Sequence, residues 1–101
     1  MNIFDKNKVC MDDAAQGCTD HSKFFILCDG KPLRSLLELA DSFEDMSDDV
    51  FNHHVNPGKN DFEVWVRDVF GERELAEKLA RTSSKNRHQV FILRHLVRMM
   101  G

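Results

Sequence analysis

The chain has 101 residues with 14 basic and 17 acidic side chains, a net charge of −3 and a hydrophobic fraction of 42%. That is enough for one domain and one small core, with little stability in reserve. The mildly acidic balance gives no overall drive toward polyanions, and no apolar run approaches the roughly 20 residues that cross a bilayer.

The N-terminus lacks the basic start, apolar stretch and small-residue cleavage site of a secretion signal. Three cysteines are an odd number, which argues against a closed disulfide framework and for a reducing, cytoplasmic setting. Residues 1–22 are polar and without a sustained period, so they are expected to be weakly ordered, with Ile3 and Phe4 as the only anchors. A single helical domain is expected over residues 23–101. It opens with Phe24, Phe25, Ile26 and Leu27, a short β-favouring run, followed by the turn signal Asp29-Gly30. Lys31, Pro32 and Leu33 make a brief return strand, confined to an edge because Pro32 has no N–H.

Ser35 and Glu38 stand in capping-box spacing ahead of a helix that buries Leu36, Leu39, Ala40 and Phe43, with Leu37 at its edge. Ser47 then caps a short helix over Asp48 to about His54, with Met46 and Phe51 spaced as a hydrophobic staple. Pro57-Gly58 breaks the chain. Asn60 caps the central helix, Glu63 is placed to reach back to that cap, and Gly71 ends the helix. Its apolar face is Phe62, Trp65, Val66, Val69 and Phe70. Trp65 is expected at the hub of the molecule. Arg67 can reach Glu63 or Glu74, whereas Arg67 and Asp68 are not expected to pair as neighbours. A helix over Glu72 to Arg81 buries Leu75, Ala76, Leu79 and Ala80 on one face. The last helix, about Lys85 to Met100 with Ser83 or Ser84 as cap, is apolar at Val90–Leu93, Leu96, Val97, Met99 and Met100. That is too broad for one buried face, so part of it meets a second surface. The fold class is therefore mainly α: a small bundle of about five short helices with a minor N-terminal β-hairpin.

Taken together, the run from Phe24 to about Leu79 resembles an uncharacterised family of short bacterial and archaeal domains. The motifs that carry the resemblance are His54-Val55-Asn56, Asn60-Asp61-Phe62, Trp65-Val66-Arg67-Asp68 and Leu75-Ala76. The resemblance carries over no activity, cofactor or catalytic residue.

Charge is unevenly spread. Residues 31–58 hold six acids, Glu38, Asp41, Glu44, Asp45, Asp48 and Asp49, against Lys31 and Arg34. Residues 82–101 hold Lys85, Arg87, Arg94 and Arg98 and no acid. The sequence holds the ingredients of four kinds of chemistry. His53 and His54 can share a metal only if the backbone turns at the helix end, with Asp61, Asp68 or a cysteine completing the shell; no standard ligand spacing is present. The simpler reading has His54 favouring the helix end and packing on Trp65, with His53 in solvent. Cys10, Cys18, His21 and Cys28 fit no common zinc spacing. Cys28, His53 or His54 and Asp61 are ingredients of nucleophilic catalysis without a nucleophile elbow around them. Finally, Arg87, Arg94 and Arg98 form a basic stripe, and a helix-turn-helix can be drawn from Glu72 to Met100, although its reading helix is too apolar for a groove.

The expectation is a non-enzymatic protein-interaction module, self-associating or binding a protein partner through the last helix, with no cofactor and no membrane contact. Its candidate contacts are His53, His54, Lys59, Arg67, Arg87, Arg94 and Arg98. The alternatives are a small nucleic-acid-binding regulator using the basic last helix, and a metal-binding protein at His53 and His54.

Overall fold

A computed structural model describes residues 20–100. A 3-10 turn at His21–Lys23 leads into β1 (Phe25–Ile26) and β2 (Pro32–Leu33). Then come α1 (Leu36–Ser42), α2 (Asp48–His54), β3 (Val55–Asn56), β4 (Lys59–Asn60), α3 (Asp61–Phe70), α4 (Arg73–Ala80) and α5 (Lys85–Met100). The fold is thus a small mainly helical bundle, as the hydrophobic spacing predicts.

The first hairpin pairs Phe25 with Leu33 and Ile26 with Pro32. Gly30 turns it at φ +96°, a conformation that only glycine adopts without strain. A second hairpin, absent from the sequence expectation, pairs Val55 with Asn60 and Asn56 with Lys59. Pro57-Gly58 is its turn rather than a plain break. The side chain of Asn56 closes it by accepting the Gly58 N–H at 3.0 Å.

Helix starts follow their caps. Ser35, Ser47 and Asn60 accept the backbone N–H three residues on, at 3.0, 3.2 and 3.0 Å. Neither capping box closes reciprocally, however. Glu38 accepts the Arg34 N–H at 2.9 Å and holds its guanidinium, while Glu63 turns along the helix to Arg67. In both cases an arginine one turn away supplies a charged donor, which outcompetes a neutral amide. Arg67 also reaches Asp68, Nε to Oδ1, at 3.2 Å, against expectation, because its long stem folds back along the helix surface. Gly71, at φ +68°, ends α3 by donating to Arg67, while Glu72 donates to Val66.

The core gathers one face from each helix. Phe62, Leu36, Leu39, Leu75, Leu79 and Ile92 are fully buried. Phe62 is its centre, with rings of Phe25, Phe43 and Phe51 at 5.0, 5.6 and 6.2 Å. Trp65 is buried as expected but lies to one side. It packs edge-on to Phe25 and Phe70, and its indole donates to the Lys23 carbonyl at 2.8 Å. Ala80 is exposed rather than on the buried face of α4, because that helix ends there in the turn to α5. The α1–α5, α3–α4 and α4–α5 pairs form the main packing contacts.

Candidate functional site

Two polar networks converge beneath the second hairpin. The first is built on His54, the last residue of α2, which is only 5% exposed. Its Nε2 accepts the Cys28 backbone N–H at 3.0 Å, so Nδ1 carries the proton and donates to Asp61 Oδ2 at 3.0 Å. Its ring packs on Phe25 and Phe62, not on Trp65 as expected, because Phe25 of β1 lies between the two. Lys59 donates to the same Asp61 oxygen at 3.0 Å. Partial burial pushes the Asp61 carboxyl up, but the hydrogen bonds from His54 and Lys59 outweigh it and hold the group below the usual range.

This cluster does bring together Cys28, His54 and Asp61, the catalytic ingredients visible in the sequence. The contact to His54, however, comes from the Cys28 amide and not from its thiol. The lone pair that a general base or a metal ligand needs is already used. His53 is exposed and meets His54 edge to face at 4.9 Å. Among the described residues no group of three or more His, Cys, Asp or Glu side chains is arranged to hold a metal. In the sequence-derived zinc set, Cys10 and Cys18 lie outside the described residues, and His21 stacks on Phe24 at 4.7 Å. Arg67 sits farther along α3 with Glu63 and Asp68, so it is separate from the His54 cluster.

The second network was not anticipated. His88 of α5 is completely buried. Its Nδ1 donates to the Ser84 carbonyl at 2.9 Å, and its Nε2 accepts from Asn60 Nδ2 at 3.0 Å. The same Asn60 amide donates to the Leu79 carbonyl at 3.0 Å while its oxygen caps α3. One asparagine therefore ties the start of α3 to the end of α4 and the first turn of α5. Burial drives the His88 pKa down from 6.5, against a smaller opposing pull from the Ser84 carbonyl. Nothing in the local sequence marks a polar residue in an apolar helix face as the partner of a cap 28 residues earlier.

Beside these networks lies an open depression of about 520 Å³ between the second hairpin and the α4–α5 turn, lined by Asn56, Lys59, Arg81 and Thr82 among others. A second, of about 400 Å³, is lined by Lys78, Arg81, Thr82, Arg87 and Phe91.

The outer face of α5 has a different chemistry. Val90, Leu93, Val97 and Met100 are 45%, 40%, 67% and 83% exposed. Their spacing of three, four and three residues puts them in one row, the a/d positions of a heptad. Arg87, Arg94 and Arg98 are also exposed and fall within about 40° of one another around the helix, at about 100° per residue. They form a second row beside the first, on the side of α4. There His95 Nε2 lies 3.2 Å from Glu72 without the alignment of a hydrogen bond. On the opposite side α5 runs antiparallel to α1. Lys85 donates to the Met46 carbonyl at 2.6 Å, and Gln89 donates to the Ala40 carbonyl and to Glu44 at 3.0 and 2.9 Å.

Fold and surface together define a small helical bundle with an apolar core, two buried histidine networks and one exposed apolar row. No protein-family model, no curated protein and no solved structure matches the chain.

Proposed function

We propose that this chain is a non-enzymatic protein-interaction module that engages another protein surface through the exposed row Val90, Leu93, Val97 and Met100. The row itself carries the reading. Four large apolar side chains at heptad spacing on a solvated helix face are what a packed helix interface uses, and scattered exposed residues lack that register. The His54 cluster supports the same reading from the other side, because its ring nitrogens hold the scaffold together and leave no lone pair for chemistry. The odd cysteine count supports a reducing, cytosolic setting for the module.

A photo-crosslinking side chain at Val97 tests this in the expressing cell, with Val64 and Ile26 as controls, both exposed apolar positions off the row. One defined crosslinked protein at Val97, this chain or another, and none at the controls is the expected result. The same diffuse pattern at all three positions contradicts the proposal.

A second reading rests on the depression edged by Lys78, Arg81 and Arg87, where three cations surround the half-buried ring of Phe91. Such a place suits the phosphates of a nucleic acid. Retardation of labelled single-stranded or duplex oligonucleotides that weakens with salt supports it, and no retardation at low salt removes it.

A further inference from the structure

We infer that the surface seated on the α5 row is a second copy of this chain, docked with the two α5 helices parallel. The inference rests on the interaction-module reading and names its partner. It comes from three observations on one face.

The first is the identity of the row. Val90 and Val97 occupy one heptad position, and Leu93 and Met100 the other. A β-branched residue at the first position with an unbranched or γ-branched one at the second is the pattern that favours two parallel helices.

The second is a neighbouring apolar residue. Leu37 of α1 is 50% exposed. The antiparallel course set by Lys85 with Met46 and Gln89 with Ala40 brings Leu37 level with Leu93, one turn further on. The apolar surface therefore widens from a single row into a patch shared by two helices.

The third is charge order across that patch. On the α1 side lie the exposed carboxylates Asp41 and Glu44. Next comes the apolar patch, and beyond it the basic row Arg87, Arg94 and Arg98. None of these three arginines has an acidic partner within the described residues of its own chain. Acid, apolar and base in sequence across one face is self-complementary under a two-fold axis that runs along α5. That rotation keeps heights and exchanges sides, so Arg87 of one copy comes opposite Glu44 and Asp41 of the other. A two-fold axis across α5 would make the helices antiparallel and set each basic row against its twin. Charge therefore selects the parallel arrangement.

Val90→Cys separates the two geometries in the purified full-length chain. In the parallel pair each position 90 meets its own counterpart, so mild oxidation yields a dimer that reductant reverses, above the level of the parent chain with its native cysteines. Asn86→Cys, one turn earlier in the same row, behaves alike, which covers the case where one variant folds poorly. Charge reversal reads the rim. By sedimentation, Arg87→Glu weakens the dimer by about tenfold, and adding Glu44→Lys to the same chain recovers most of the loss. Crosslinking of neither cysteine variant, or dimerisation unaffected or strengthened by Arg87→Glu, overturns the parallel copy. A Val97 photo-crosslink to a different protein overturns the copy while sparing the module, and a diffuse Val97 pattern removes both.

Discussion

Asn60 carries more of the fold than any other polar side chain described. It caps α3, donates to the Leu79 carbonyl at the end of α4, and supplies the donor that buried His88 accepts. Asn60→Ala removes one cap, takes one of two donors from the Leu79 carbonyl and leaves the buried His88 Nε2 without a partner. The expected loss is about 3 kcal/mol in urea unfolding, well above the ~1 kcal/mol of a cap alone. His88 makes a second residue-scale prediction. Burial lowers its pKa, so the unfolded chain binds a proton that the folded chain refuses. Its contribution is fully present above pH 6.5 and is lost as pH falls from there toward the depressed native value. Unfolding free energy measured between neutral and mildly acidic pH should fall with a slope approaching about 1.4 kcal/mol per pH unit from this group. His88→Gln should flatten that slope. Asp61, held low by His54 and Lys59, adds a separate loss only as pH falls below 3.8.

At the scale of elements, the helices were legible because all but α4 begin at a side-chain cap and each carries apolar residues at helical spacing. The bounds of α2, α3 and α5 follow Ser47, Asn60 with Gly71, and Ser84 almost to the residue. What did not read through is pairing at a distance. The β3–β4 hairpin has only two residues per strand, too few for alternation to register, and its turn uses Pro57-Gly58 with the Asn56 side chain. The bond from Cys28 to His54 joins residues 26 apart, and the one from Asn60 to His88 joins residues 28 apart, where no periodicity operates. Several of the residues singled out in the sequence, His54, Asn60, Asp61 and Trp65, prove to be the joints between elements. Arg67, a candidate contact, is exposed and pairs with its own helix neighbours Glu63 and Asp68. Gly71 gives the element-scale prediction. At φ +68° an added Cβ meets no atom within 4 Å, so the cost of Gly71→Ala is purely conformational, about 1 kcal/mol by thermal or urea unfolding.

For the whole molecule, the breadth of apolar residues on α5 was visible in the sequence, but its division into two faces was not. Ile92, Leu96 and His88 close the core, while Val90, Leu93, Val97 and Met100 face away from it. Arg87, Arg94 and Arg98 do lie in one row, and it runs beside the apolar row instead of opposite the core. Only the position of α1 along α5 shows that carboxylates border the other edge. Among the described residues no helix is long and apolar enough to cross a membrane.

Sedimentation velocity of the full chain over a concentration series, beside Val97→Asp, tests the account most directly. The parent chain should shift from 11.7 kDa toward twice that mass as concentration rises into the range of roughly 100 μM. Val97→Asp, at a position 67% exposed, should keep the parent's helical circular dichroism and stay at the single-chain mass. A parent chain that remains at 11.7 kDa throughout, or a variant that associates as well as the parent, would contradict it.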